Sequence, residues 1–224
     1  MTFLELCQQV VRDAGISGTG PSTVVSQSGT LKRVVGFTAA AWQKIQGLHT
    51  DWSFMRGDAS FTLTPATQAY SLATIRATIP LYDVPDLNEC RWTDKSGRLQ
   101  KVDWSVWTGG NYDLATGTGK PQLVTERTDR ALLFYPIPTA ANVFTMKYRR
   151  TPQVLAANAD EPICPTRHHE VIAYRALMLW AAFDQDGALL KTATDEYEER
   201  LSQLERECRP TVSFGGARLR SSSR

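Results

Sequence analysis

The run Val171-Ile172-Ala173-Tyr174-Arg175-Ala176-Leu177-Met178-Leu179-Trp180-Ala181-Ala182-Phe183 is the most apolar stretch of the chain. Val171, Ile172, Tyr174, Ala176, Leu177, Trp180, Ala181 and Phe183 leave almost no polar side, which predicts a helix buried nearly all round. It does not span a membrane. Tyr174 and Arg175 interrupt it, Asp184 ends it, and no stretch approaches the length of a spanning segment. Pro162 and Pro165 stand before it, with Thr166 as its cap.

Such a helix needs others around it, and the flanking sequence supplies three. After Gly187 a last helix is predicted from Ala188 to Cys208. Leu189, Leu190, Ala193, Tyr197, Leu201, Leu204 and Cys208 line one side of it. The opposite side carries Asp195, Glu196, Glu198, Glu199, Arg200, Glu205, Arg206 and Glu207, a solvated or subunit-facing surface with Glu196 and Arg200 spaced for an ion pair. At the other end of the chain, Thr2-Phe3-Leu4-Glu5 has the spacing of a capping box. The helix it opens buries Phe3, Leu6, Cys7, Val10, Val11 and Ala14 until Gly15 stops it. A further helix follows from Thr30 to His49. Leu31, Val34, Val35, Thr38, Ala41, Trp42, Ile45 and Leu48 form its stripe, and Lys32, Arg33, Gln43, Lys44 and Gln46 lie off it. Trp52, Phe54 and Met55 then read as a core plug.

The segment from Gly15 to Gly29 is a long loop with one apolar pair, Val24 and Val25. That pair either lies against a neighbouring subunit or fastens the loop to its own core.

Between residues 59 and 155 the period changes to two and Pro, Gly, Asn and Asp punctuate the chain. Strands are predicted at Ala59–Leu63, Gln68–Leu72, Leu87–Thr93, Leu99–Val106, Gln122–Glu126, Ala131–Tyr135 and Val143–Arg149. Turns at Asp94-Lys95-Ser96-Gly97 and Thr128-Asp129-Arg130 would make local antiparallel hairpins in a meandering sheet. The expected class is therefore α+β: a four-helix bundle of N- and C-terminal helix pairs with an inserted antiparallel β-rich domain. The corresponding parts are residues 1–56 (first helices and loop), 57–158 (β insertion), 159–208 (closing helix pair) and 209–224 (a flexible arginine-rich tail).

Composition agrees with a folded body: 224 residues, 42% hydrophobic and 21% charged, enough for a core without staples. Cys7, Cys90, Cys164 and Cys208 are too scattered for a zinc ribbon or a disulfide framework and read as free thiols. Met1-Thr2-Phe3-Leu4-Glu5-Leu6 lacks the basic start and apolar run of a secretion signal, so the chain is expected to act where it is made. Charge is uneven. Residues 209–224 hold four arginines, Arg209, Arg218, Arg220 and Arg224, and no acid; removing these from 25 basic residues leaves 21 against 23 acidic, or −2 for positions 1–208. The tail, with Phe214 and Leu219 as its large apolar residues, is too polar to fold alone. It is either a solvated end or a segment whose Phe214 and Leu219 anchor in a partner while its arginines find carboxylates.

Catalytic motifs are missing. Gly117-Thr118-Gly119-Lys120-Pro121 lacks the spacing of a phosphate loop, and Pro121 stands where the helix should open. His168 and His169 lie at a helix entry, where a structural role is far commoner than that of a general base. With Cys164 nearby they lack further ligands at metal spacing, so neither metal nor cofactor is expected. Asp83 with Asp86, and Asp184 with Asp186, read as solvated loop acids. Trp104, Trp107 and Tyr112 could stack on bases, although the strand pattern reads Trp104 as a sheet-face residue and Trp107 as a rim residue.

Several segments together resemble a known family. Phe3-Leu4-Glu5-Leu6-Cys7-Gln8, Gly18-Thr19-Gly20-Pro21, Gly29-Thr30-Leu31-Lys32-Arg33-Val34-Val35 and Trp52-Ser53-Phe54-Met55-Arg56 are similar to head-to-tail adaptors of tailed bacteriophages, of the tail tubular protein A and head-completion type. So are Gly119-Lys120-Pro121 leading into Leu133-Phe134-Tyr135-Pro136-Ile137-Pro138, the run Met146–Leu155, Pro162-Ile163-Cys164-Pro165, and Glu196-Tyr197-Glu198-Glu199-Arg200-Leu201. The resemblance implies a non-enzymatic virion protein at the head–tail junction, assembled in the host cytoplasm. It implies a ring, usually of twelve, under the portal protein, which extends the DNA channel without reading sequence and offers a platform to the next tail or nozzle protein. A C-terminal segment reaching the portal is common in that family. This makes Arg209, Phe214, Arg218, Leu219, Arg220 and Arg224 candidate portal contacts, and Val24, Val25, Glu198, Glu199 and Arg206 candidate subunit contacts. Two other readings compete: a nucleic-acid-binding module using the arginine tail with Trp104 and Trp107, and a small hydrolase built on His168 or His169.

Overall fold

The computed structural model describes residues 1–94, 96–112, 114 and 116–209. The fold is α+β. Its helices are α1 (Phe3–Asp13), α2 (Gly29–Gln46), α3 (Leu72–Thr78), α4 (Trp104–Gly109), α5 (Glu170–Asp184) and α6 (Gly187–Cys208). Its strands are β1 (Arg56–Thr62), β2 (Ala69–Tyr70), β3 (Tyr82–Trp92), β4 (Gln100–Lys101), β5 (Thr118–Gly119), β6 (Leu123–Glu126), β7 (Leu132–Tyr135), β8 (Ile137–Pro138) and β9 (Val143–Arg150). They form two compact units: a helical one of Met1–Phe54 with the described residues from Pro152 on, and a β-rich one of Met55–Thr151.

In the helical unit the capping box is present. Thr2 Oγ1 accepts from the Glu5 amide and Glu5 accepts from the Thr2 amide at 2.8 Å. Phe3, Leu6, Cys7, Val10 and Val11 are buried, and Gly15 follows the helix at φ +65°, a left-handed position that glycine takes without strain. Helix α5 packs on α1, α2 and α6. It buries Val171, Ile172, Ala173, Ala176, Leu177, Trp180 and Ala181, whereas Phe183 is 48% exposed. Thr166 does not cap α5; it sits in a single 3₁₀ turn, Thr166–His168, that leads in. The α5–α6 break also lies earlier than Gly187. Gln185 takes the left-handed conformation and Asp186 Oδ1 accepts from the Ala188 and Leu189 amides, so Gly187 opens α6.

Gln46 departs from the periodic reading: it is buried. Its amide exchanges two hydrogen bonds with the Gln153 backbone, Gln46 Nε2 to Gln153 O (2.9 Å) and Gln153 N to Gln46 Oε1 (2.7 Å). Trp42, fully buried, donates Nε1–H to Gln153 Oε1 at 3.1 Å. The long loop is fastened to its own chain. Asn158 Oδ1 accepts from the Val24 amide (2.7 Å) and the Thr23 hydroxyl (3.1 Å), and Gln8 Nε2 donates to Pro21 O (3.0 Å).

The β-rich unit is less local than its turns suggest. Strand β9 lies between β1 and β3, antiparallel to both, so β1 pairs with a strand from the far end of the unit. A second sheet runs β2-β7-β6-β4, with β6–β7 the antiparallel hairpin expected around residues 128–130 and Arg130 at φ +66°. The other expected hairpin shrinks to one bridge, Arg91 with Arg98, and β4 instead runs parallel to β6; β5 and β8 are also parallel. Two predicted strands are shorter than expected and give way to helices: Gln68–Leu72 keeps only β2 before α3 begins, and Leu99–Val106 keeps only β4 before α4 begins. Ser71 caps α3, accepting from the Thr74 amide, and Asp103 with Gly110 brackets α4, where a strand over Leu99–Val106 was expected. At α3 the Ser71 cap outweighs short alternation; at α4 Asp103 occupies the N-cap position without a side-chain capping bond, and the buried Trp107 anchors the turn. The core gathers around Phe144, with Phe61, Trp92 and Phe134 rings within 6.2 Å.

Gly57 pairs with Tyr148 across β1 and β9, and a Cβ there would meet Tyr148 Cζ at 2.6 Å. The strand thus has a glycine because an aromatic ring lies over it. Gly57→Val is expected to cost about 1–3 kcal/mol in a denaturant melt, and Tyr148→Ala in the same chain should remove the steric part of that loss.

Candidate assembly surface

The histidine pair is structural. His169 is 1% exposed, its Nε2 lies 3.0 Å from the Cys164 carbonyl, and its Nδ1 lies 3.0 Å from the Met1 carbonyl. Burial holds its pKa below the usual 6.5 and keeps the ring neutral. His168 Nε2 meets Glu207 Oε2 at 2.8 Å, and Glu207, also bound by Arg167, is held below the ordinary carboxylate range by Arg167 first and His168 second. Cys164 is buried and desolvation pushes its thiol up to about 12, the wrong direction for a nucleophile. No group of three or more metal-capable side chains gathers among the described residues.

These titrations have a sign. The folded chain refuses a proton at His169 that the unfolded chain accepts below about pH 6.5, and Glu207 gives up its native partners as it protonates at lower pH. Stability should therefore be full above about pH 6.5 and fall below it, and His169→Gln should flatten the part of that fall that begins as pH drops through about 6.5. Thermal melts across this range check it.

The aromatic and loop candidates are likewise engaged. Trp107 is fully buried in the β-rich unit, not a rim residue, and Trp104 is half-buried on α4. Lys120 binds Asp94 at 2.7 Å and also Ser96, with its ammonium 4.9 Å above the Trp92 ring, so this lysine is part of the β-rich unit's own structure. Asp83 accepts from Arg149 at 3.2 Å, and Asp186 is the α6 cap.

The outward-facing subunit-contact candidates lie in the helical unit. On α6, Arg200 joins Glu196 and Glu170, Glu205 meets His49 at 2.6 Å, and Arg206 Nε donates to the Ser202 carbonyl. Glu199 accepts from Gln203 at 3.3 Å. Asp195 and Glu198 are exposed and make no ion pair among the described residues. The predicted subunit contacts thus separate. Val24 is spent inside its own chain at 6% exposure; Val25 (56%), Glu198, Glu199 and Arg206 face outward. Arg209 is the exposed α6 C-cap, while Phe214, Arg218, Leu219, Arg220 and Arg224 lie outside the described residues. Sequence reading missed Phe183 and Arg33 as a surface pair: the guanidinium stacks 3.7 Å from the exposed ring, with Phe37 at 6.5 Å. No helix among the described residues is long and apolar enough to cross a membrane.

A family model described as SU10 adaptor protein matches residues 1–220, both compact units and most of the tail. The chain belongs to the SU10 adaptor protein family. No curated protein matches it. For an SU10 adaptor family member, engaged histidines and an engaged Lys120 beside open helical faces fit a structural protein of a bacteriophage, whose kinds of partner are portal and tail proteins. Of the tail candidates, Arg209, Phe214, Arg218, Leu219 and Arg220 fall inside the matched range and Arg224 beyond it.

Proposed function

We propose that this chain is a head-to-tail adaptor that assembles as a dodecameric ring under the portal, extends the DNA channel and forms the platform for the next tail protein. The observation that carries the reading is the adaptor-family match over residues 1–220. In this reading α1, α2, α5 and α6 close as a four-helix bundle around α5, and the β-rich unit is an insertion between its halves. The virion at the head–tail junction is its location, and DNA passes without specific capture, as a body of charge −2 favours. The exposed Val25, Glu198, Glu199 and Arg206 belong to contacts between copies, and the arginine tail to the portal. Burial of Trp107 weighs against the nucleic-acid module, which needs that ring open.

Quantitative mass spectrometry of purified virions tests the reading. The expected result is one copy of this chain per copy of the portal protein. Absence from the particle rejects it.

A further inference from the structure

A ring of head-to-tail contacts needs two different faces on each subunit. Two helices of the helical unit have the matching chemistry. Helix α2 carries Lys32, Arg33 and Lys44 and no acid, +3 over eighteen residues. Helix α6 carries six acids and three bases, −3 over twenty-two. Both pack on α5, but not on each other along their lengths, so their charges are not neutralised against one another within the chain. The charged groups left over are the informative ones. Three of the α6 acids are held by partners of their own chain: Glu196 by Arg200, Glu205 by His49 and Glu207 by Arg167 and His168. Asp195, Glu198 and Glu199 have no ion pair among the described residues, nor have Lys191 and Arg206 of the same helix, nor Lys32 and Lys44 of α2.

Shape adds to charge. Lys32, Gly36, Ala40 and Lys44 recur every four residues on an exposed stripe of α2, and a Cβ at Gly36 would meet nothing within 4 Å. The stripe between the two lysines is low, which lets a second helix approach closely. On α6, Asp195, Glu198 and Ser202 form a comparable exposed stripe.

Resting on the ring reading above, we infer that the ring is closed by the α2 face of one copy against the α6 face of the next, Lys32 and Lys44 meeting the acids around Asp195 and Glu198. The occupant of each face is therefore a second copy of this chain. Opposite charge sets the direction of the contact and rejects α2–α2 and α6–α6 pairing, so the assembly turns in one sense only.

Charge reversal tests it, with full-length chain added to portal-bearing particles that lack it and ring occupancy read by electron microscopy and cross-linking. Lys32→Glu with Lys44→Glu is one variant, Asp195→Lys with Glu198→Lys the other; all four positions are exposed, and unchanged circular dichroism and melting confirm folding. Each alone is expected to lose ring formation by about tenfold or more at low salt. A chain bearing all four reversals should regain it, and so should an equal mixture of the two variants, by alternating around the ring. Normal rings from either variant alone, or no recovery in the four-reversal chain, overturn the pairing while leaving the ring. Wild-type chain that forms no ring on the particles overturns the ring reading and the pairing with it.

Discussion

Trp42→Ala should be the most damaging single substitution in the helical unit, costing about 3–5 kcal/mol of stability. The indole is fully buried and stacks on Phe54 at 5.9 Å, which in turn stacks on Trp52 at 5.2 Å. Truncation opens a cavity that these rings cannot all close. It also frees Gln153, whose Oε1 accepts from Trp42 Nε1 (3.1 Å) and the Ile163 amide (3.0 Å) and whose Nε2 donates to Glu161 O (2.7 Å). Gln153 lies next to Pro152, the first residue to rejoin the helical unit after the β-rich unit, so its bonds hold the re-entering strand of chain to α2. Trp42→Phe separates the two contributions. It keeps most of the ring volume and removes the N–H, and is expected to cost about 1–2 kcal/mol. Adding Gln153→Ala to Trp42→Phe should then cost less than the two single losses combined, since they share a bond. Urea melts followed by circular dichroism give all four corners of that cycle. Strict additivity would show that the Trp42–Gln153 bond carries no coupling.

The sequence was most legible where one periodicity runs for several turns. Helices α1, α2, α5 and α6 were each placed within a few residues, because burial every three or four positions is imposed by packing on a shared core. Hairpin β6–β7 was legible for a different reason: Thr128-Asp129-Arg130 is local turn chemistry. What stayed hidden depends on distant partners. Nothing in Gln46 itself distinguishes it from Gln43; only Gln153, more than a hundred positions on, makes its burial favourable. The β1–β9 pairing is hidden for the same reason, and α4 is hidden behind two-residue alternation although Asp103 and Gly110 stand at its ends. Of the candidate contacts, charge and exposure on α6 could be read as a face, yet which acids already have partners in His49, Arg167 and Arg200 could not. Val24 and Val25, adjacent and alike, end at 6% and 56% exposure, in a loop where Asn158 holds the Val24 amide and Thr23 that of Val25.

Deleting residues 209–224 should leave the helical unit folded and abolish stable docking on the portal. The cut falls just after Cys208, the last buried residue of α6, so Ala193, Tyr197, Leu204 and Cys208 keep their packing and the melting temperature should hold. What is lost is charge and two large apolar side chains: the formal net charge goes from +2 to −2, and Phe214 and Leu219 go with the four arginines. Salt tells these apart. If the arginines supply the attraction, replacing Arg218, Arg220 and Arg224 by Gln should weaken docking strongly at about 0.05 M salt and little at about 0.5 M, where exposed charges are screened. If the apolar side chains supply the residence time, Phe214→Ala with Leu219→Ala should speed dissociation at both. The two kinds of loss should add toward that of the full deletion, read as retention of fluorescent chain on portal-bearing particles in a spin-down assay. Lateral pairing through α2 and α6 would be untouched by the cut, so truncated chains should still associate with one another when concentrated. Truncated chains that dock as the full chain does would remove the tail from the portal contact and leave that contact to the folded units.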